Sequence, residues 1–342
     1  MAGLSTTIER IWYQCRGINC LGFLLLLPLS CLFYALSGGR RAAYRWGMLR
    51  QQRLPKPVIV VGNISVGGTG KTPMVTYLVE RLREYGYQAG VISRGYGGRA
   101  STTPQPVTPD SDPAQVGDEA VLLARRCQCP VVVGADRVAA GQLLLEQGHC
   151  DVVISDDGLQ HYRLARDLEI VMIDGERGLG NAFLLPAGPL REGAWRLATV
   201  DFVVSTAAAF ANADTQQLRL KHAINLKNPH NIKDLSNFCG ADEVIAVAGI
   251  GHPQRFFRAL AQQGIRARGV AFADHHAFRA QDFEQFPQHS ILMTEKDAVK
   301  CAAIANENMW YVPVESYLQA DFERRLREKL IALIDTGRHT TN

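Results

Sequence analysis

Apolar residues fall along this chain in three patterns. The first is continuous: residues 17–39 carry no charge, and 21–36 are almost wholly apolar, interrupted by Pro28. The second is a series of short β-branched runs at 58–61, 89–93, 131–133, 152–155, 168–173, 202–205, 244–247, 269–273, 291–294 and 310–314. The third lies between those runs, where helical spacing marks 73–85, 118–126, 136–147 and 252–263. A last helix is predicted over 321–335, with Phe322, Leu326, Leu330 and Leu333 on one face. Strand runs alternating with helices predict an α/β fold, a mostly parallel sheet with helices on both faces. From 209 to 237 the strong runs lapse. The expected organisation is therefore an N-terminal membrane-associated segment (1–39), a core (40–215), a linker (216–240) and a smaller C-terminal α/β domain (241–342).

A helix over 18–36 would be about 29 Å long at ~1.5 Å per residue, close to the ~30 Å hydrocarbon thickness of a bilayer. Three readings compete: a cleaved signal peptide, a full span, or a monotopic, half-inserted anchor. A signal peptide would export the chain, against the nucleotide motifs below. For a monotopic anchor speak Ile8, Ile11, Trp12 and Cys15, which recur at helical spacing, and Pro28, which is expected to break a straight span. For a span speaks the cluster Arg40 to Lys56, which the positive-inside rule would keep cytoplasmic.

Charge sharpens that picture. Net charge is only +4, yet no acidic residue lies between Glu9 and Glu80, a stretch with nine Arg and Lys. The rest of the chain is net acidic. A basic N-terminal region suits an anionic partner, whether lipid headgroups, nucleic acid or a phosphorylated substrate. The eight cysteines are too sparse for a disulfide scaffold. Cys127 and Cys129 form C-x-C, which lacks the four ligands of a zinc site.

The run 58–61 leads into Gly62-Asn63-Ile64-Ser65-Val66-Gly67-Gly68-Thr69-Gly70-Lys71-Thr72-Pro73. Glycines after a buried strand let backbone N–H groups curl around phosphates. Lys71 can reach the β- and γ-phosphates, Thr72 can ligate Mg²⁺, and Pro73 suits a first helical turn. Ser65 stands where the usual loop has its first glycine. The loop expected to hold ATP is Ser65, Val66, Gly67, Gly68, Thr69, Gly70, Lys71 and Thr72.

A second strand, 151–155, ends in Asp156 and Asp157, like a Walker B acid that holds Mg²⁺ beside a P-loop. Asp118 opens a helix and is either its N-cap or a general base for an acceptor hydroxyl. Asp274 precedes His275 and could orient or tune it. Arg191, in Leu-Pro-Ala-Gly-Pro-Leu-Arg-Glu, could clamp phosphate. Arg94 and Tyr96, in Ser-Arg-Gly-Tyr-Gly, could reach substrate, and His161 is a further substrate candidate.

Taken together, S-V-G-G-T-G-K-T-P, S-R-G-Y-G, G-D-E-A, D-D-G-L-Q-H, L-P-A-G-P-L-R-E, D-H-H and T-E-K-D closely resemble the tetraacyldisaccharide 4′-kinase family. That resemblance implies a P-loop kinase that moves the γ-phosphate of ATP to the 4′-hydroxyl of a tetraacylated glucosamine disaccharide 1-phosphate. It implies Asp118 as base with His275 as its partner across a cleft. It puts Asp156, Asp157, Gln160 and Glu192 among metal- and phosphate-handling residues with Thr72. Leu159 sits where an aromatic is expected. The implied location is the cytoplasmic face of the inner membrane, with a membrane surface, ATP and an acylated disaccharide phosphate as partners.

Competing classes fit less well. A GTPase or metallochaperone-like NTPase should carry N-K-x-D, and Thr294-Glu295-Lys296-Asp297 does not match it. A partner-binding ATPase of the G-G-x-G-K kind usually has Lys where Val66 stands. Nucleic-acid binding lacks an aromatic platform or a groove-reading helix.

Overall fold

The computed structural model describes residues 2–14, 19–98, 103–240 and 244–339. Cys15, part of the expected amphipathic stripe, lies outside them. In chain order the elements begin with α1 (Ala2–Tyr13), α2 (Asn19–Arg45), β1 (Val58–Gly62), α3 (Lys71–Glu84), β2 (Ala89–Ser93) and β3 (Gln105–Val107). Next come α4 (Pro113–Val116), α5 (Asp118–Cys127), β4 (Val131–Val133), α6 (Arg137–Gln147), β5 (Val152–Asp156), β6 (Leu168–Asp174) and β7 (Phe202–Thr206). There follow β8 (Asp214–Leu220), β9 (His222–Asn225), β10 (Ile232–Asp234), β11 (Val244–Ala248), α7 (Pro253–Gln262) and β12 (Ala267–Ala271). The chain closes with β13 (Ile291–Thr294), α8 (Glu295–Cys301), β14 (Met309–Val312), β15 (Val314–Tyr317) and α9 (Ala320–His339).

Nine strands form the first sheet in the order β15-β8-β7-β6-β1-β5-β2-β4-β3, parallel except for β3 and β15 at its edges. Its central strands are buried on both faces, which is why they read as unbroken apolar runs. Ile59 and Val61 point into one core with Met74 and Leu78 of α3 and Leu123 of α5, while Val58 and Val60 point into the other with Leu144 of α6. The α/β expectation holds.

A second sheet runs β10-β9-β14-β13-β11-β12, its last four strands parallel. Phe256 and Leu260 of α7 cover one face, and Phe278, Phe283 and Phe286 the other.

The structure departs from the expected division in two places. Residues 216–240 are not a linker: β8 joins the first sheet, and β9 and β10 join the second. The C-terminal segment returns to the first lobe. Pro313, which cannot donate to a ladder, separates β14 from β15, so the chain leaves one sheet and enters the other there. Phe322, Leu326, Leu330 and Ile334 of α9 then pack into the core of the first sheet.

Pro28 does not break α2, which runs through it to Arg45 and so includes Arg40 and Arg41. This is the one helix among the described residues long and apolar enough to cross a membrane. Leu21, Leu25, Leu29, Leu32 and Leu36 form an exposed stripe at helical spacing. The opposite flank docks on the first lobe. Ser30 Oγ donates to Leu184 O at 2.7 Å, and Phe23 meets Phe183 edge-on at 4.8 Å. From α1, Trp12 Nε1 donates to Pro186 O at 2.9 Å.

Candidate active site

The C-terminal ends of β1, β5 and β2 lie side by side, with Val61 beside Asp156 and Ile92 beside Ser155. Ligands gather at that edge in open α/β sheets. The loop from β1 to α3 fills it. Gly67 and Gly70 take left-handed backbones (φ +114 and +80), and a Cβ on Gly70 would come within 2.7 Å of Thr206 Cγ2. Both conditions call for glycine. Ser65 is not left-handed, so the loop needs no glycine there. Instead Ser65 bridges to Leu190, Val66 N donates to Pro189 O at 2.9 Å, and Arg191 N donates to Ile64 O at 2.7 Å. The Leu-Pro-Ala-Gly-Pro-Leu-Arg-Glu segment thus braces the start of the loop and delivers Arg191 to it.

Lys71, Asp157 and Arg191 meet. Lys71 Nζ lies 3.4 Å from Asp157 Oδ1, and Arg191 Nη1 lies 3.2 Å from the same oxygen. Asp157 takes a left-handed backbone (φ +49) to turn into this position. Burial works to raise its pKa, but Lys71 and Arg191 outweigh it and hold the carboxyl below its ordinary value. Asp156, one residue back, faces the other side. Burial, reinforced by Glu119, pushes it up to about 7. Its Oδ2 accepts from Ser93 Oγ at 3.2 Å, while its Oδ1 is buried without a partner. A buried carboxylate oxygen with no donor fits a cation.

Two of the residues expected to handle metal and phosphate, Gln160 and Glu192, are in contact with each other. Glu192 has both oxygens engaged: Tyr162 Oη donates to one, Gln160 Nε2 to the other at 3.1 Å, with Arg196 Nε 3.7 Å away. Gln160 Nε2 also donates to Asn63 O at 3.0 Å. These two residues brace the chain beneath the loop. Among the described residues no three His, Cys, Asp or Glu side chains gather as a metal cluster. Leu159 is fully buried, and a Cβ on Gly62 would come within 2.6 Å of its Cβ, so it packs against the strand that feeds the loop.

Asp118 and His275, 157 residues apart, come together across the two lobes, with Asp118 Oδ2 2.9 Å from His275 Nδ1. Asp118 is 4% exposed. It is not the N-cap of α5; that position is Gly117 (φ +92), and Asp118 Oδ1 accepts from Glu119 N at 2.9 Å. Asp274 does not hydrogen-bond the imidazole. Its Oδ1 accepts the His275 backbone N–H at 3.0 Å and stands 3.9 Å from Nε2. The carboxylate that orients the ring is Asp118. Tyr96 lies against the His275 ring, with centroids 5.4 Å apart. Arg94 and Tyr96 line a cavity of about 340 Å³ with Gln115 and Gly134.

His161 lies elsewhere, at the start of α6, where its Nε2 accepts from Arg137 N at 3.4 Å. Burial, and then the charge of Arg137, pushes it down to about 4, so it is neutral near pH 7. Sequence reasoning gave no role to Lys296, which touches the Asp118 cluster, or to Arg137, whose Nη1 donates to Gly134 O at 2.5 Å behind Asp156. A buried charge at a helix start was the available signal for Arg137. Lys296 lies in the T-E-K-D motif, which carried the resemblance without giving the lysine a role.

A phosphate-binding loop armed with Lys and Arg, an acid at the neighbouring strand end, and a carboxylate–imidazole pair formed between α5 of the first lobe and a loop of the second define a P-loop phosphotransferase. Residues 23–331 match the family model described as tetraacyldisaccharide-1-P 4′-kinase. The chain belongs to that family and is an ATP-dependent kinase. It is 48% identical to the tetraacyldisaccharide 4′-kinase of Shewanella frigidimarina, covering 96% of each chain. It is 49% identical to that of Pasteurella multocida, covering 94% of this chain and 97% of the relative. The crystal structure of LpxK from Aquifex aeolicus in complex with ATP superimposes with a TM-score of 0.77 at 30% identity, over 91% of this chain and 99% of that one.

Proposed function

We propose that this kinase transfers the γ-phosphate of ATP to the 4′-hydroxyl of a tetraacylated glucosamine disaccharide 1-phosphate, giving lipid IVA, at the cytoplasmic face of the inner membrane. The observation that carries the mechanism is the Asp118–His275 contact. As the 4′-oxygen attacks the γ-phosphorus, Asp118 takes its proton, the bond to the β-phosphate oxygen breaks, and ADP leaves. His275 holds the carboxylate in line and shares the proton that arrives. Lys71 and Arg191 meet the charge spread over the transferring group. Asp157 keeps both cations poised before nucleotide arrives.

Asp156, Asp157 and Thr72 are the residues that would hold Mg²⁺. The ion would supply charge neutralisation between the β- and γ-phosphates. Few protein ligands suffice, because Mg²⁺ keeps water and phosphate oxygens as the rest of its shell.

The anchor reading rests on α2. Ser30, midway along the apolar helix, is bonded to the core loop at Leu184. A helix crossing the bilayer would drag that loop into the hydrocarbon. The helix therefore lies in the interface, its leucine stripe in lipid and its arginines at the headgroups. The acceptor carries four acyl chains, so catalysis must come to the membrane.

The test is phosphate transfer from radiolabelled ATP with Mg²⁺, by the full-length protein in detergent micelles, to a tetraacyldisaccharide 1-phosphate. One 4′-phosphate per acceptor is expected. ATP turnover that never labels the acylated acceptor would overturn the assignment.

A further inference from the structure

We propose that Lys296 is a positioning residue for the phosphoryl transfer: from the second lobe it sets the charge balance and alignment of the Asp118–His275 pair. The inference rests on the reading of Asp118 as base. Lys296 stands in the second position of α8. Its Nζ lies 3.0 Å from Glu119 Oε1, 3.6 Å from Asp274 Oδ1 and 3.9 Å from Asp118 Oδ2. One ammonium thus meets three carboxylates, two from α5 of the first lobe and one from the loop that carries His275.

The geometry has two consequences. The first is electrostatic. Asp118 is buried, and Lys296 gathers it with two other carboxylates, Glu119 and Asp274. Other charged or polar groups face the cluster too. Glu295 on α8 is paired with Arg126 at 2.7 Å, Tyr96 packs on His275, and Glu119 acts at range on Asp156. Lys71 is occupied by Asp157. Among the described residues, Lys296 is the one Lys or Arg within 4 Å of Asp118 Oδ2. Burial works to lower Lys296, but Glu119, Asp118 and Asp274 outweigh it and keep it charged.

The second consequence is alignment. His275 takes a left-handed backbone (φ +58), a conformation costly for a residue with a Cβ. Asp274 Oδ1 stabilises it by accepting the His275 N–H, and Lys296 holds that same oxygen. Lys296 therefore fixes the loop that presents the imidazole, without a contact to the transferring group.

The experiment compares pH profiles of kcat/KM for Lys296→Met, Lys296→Arg, Glu119→Gln and Asp118→Asn, beside Tm and the Kd for ATP. Removing the Lys296 cation makes it easier to protonate Asp118 or His275. Whichever of the two governs the acid limb, that limb moves to higher pH. A shift of about one unit or more is expected for an ion at this range. Lys296→Arg should restore the limb. Glu119→Gln removes an anion at a half-exposed position and should move the limb the opposite way. ATP affinity should change less than about twofold, since no contact to the P-loop is lost. A folded Lys296→Met whose limb coincides with wild type overturns the proposal, as does a rate loss equal at every pH. If Lys296→Met does not fold, an unmoved limb in Glu119→Gln overturns it instead. An Asp118→Asn variant whose kcat stays within about threefold of wild type, far short of the general-base range, marks a different failure, that of the base assignment itself.

Discussion

Asp118→Asn separates chemistry from structure at one atom. Asparagine keeps the shape and the oxygen that accepts the Glu119 N–H at 2.9 Å. It loses the charge facing His275 Nδ1. Removing one partner of a buried ion pair is damaging when it strands the other charge. Here it does not, because Lys296 keeps Glu119 at 3.0 Å and Asp274 at 3.6 Å. Stability should therefore fall by about 1 kcal/mol or less, a Tm change of about 1–2 °C for a protein of this size. The rate is another matter, since an amide cannot take a proton near neutral pH. General-base loss costs ~10²–10⁴-fold, or about 2.7–5.4 kcal/mol of transition-state stabilisation at ~1.36 kcal/mol per decade. We predict kcat reduced within that range, with ATP binding unchanged by calorimetry. The assay is initial-rate transfer to the acylated disaccharide in mixed micelles, beside a thermal melt. A kcat within about threefold of wild type, far short of the general-base range, would refute the role.

Three further predictions address the other parts. Lys71→Ala should lower kcat/KM by ~10²–10³, the scale of losing one preorganised donor, while the protein stays folded because Arg191 still holds Asp157; near-normal turnover would remove Lys71 from phosphate binding. Replacing Leu21, Leu25, Leu29 and Leu32 together by Ser should release the protein from vesicles in flotation assays, since each buried Leu contributes about 1.5–3 kcal/mol; ATP binding should persist, and unchanged flotation would place the membrane contact elsewhere. Phe322→Ala should cost ~3–5 kcal/mol in urea unfolding, because Phe322 is fully buried against Phe202 at 5.3 Å and docks α9 on the first sheet; a loss below about 1 kcal/mol would mean α9 contributes little to that lobe.

The central strands were legible because both their faces are buried, so each appears as a β-branched run of about the right length. The strands near the end of the first sheet were not. In β8 the sequence Asp-Thr-Gln-Gln-Leu-Arg-Leu buries only Gln216, and the strand exists through its backbone ladders to β7 and β15. A strand whose faces stay largely solvated leaves no apolar signature, so residues that cross between sheets looked like a linker. Pro313 was the available signal that the run 310–314 is two strands in two sheets. Pro28 misled in the other direction. In a helix whose flank is supported by the core, the loss of one hydrogen bond at Pro28 is tolerated.

At the site, residue types were readable and partners were not. Lys, Asp and Arg at strand ends announce phosphate chemistry by what they are. Which carboxylate pairs with which cation depends on sheet order and backbone sign. Asp156 and Asp157 are neighbours in sequence, yet the left-handed turn at Asp157 sends one to Lys71 and Arg191 and leaves the other buried beside Ser93. Glu192 adjoins Arg191 but is drawn under the loop by Tyr162, Gln160 and Arg196. The same logic governs the base. The pair Asp118–His275 depends on how the lobes are joined, and they are joined twice. Lys221 alone separates β8 from β9, and Pro313 alone separates β14 from β15. Lys221 Nζ lies 2.6 Å from Glu315 Oε2, on the strand that leaves the second crossing. Two one-residue crossings side by side restrict how far one lobe can turn on the other. That restriction lets a base on α5 and an imidazole from the second lobe meet at hydrogen-bond distance.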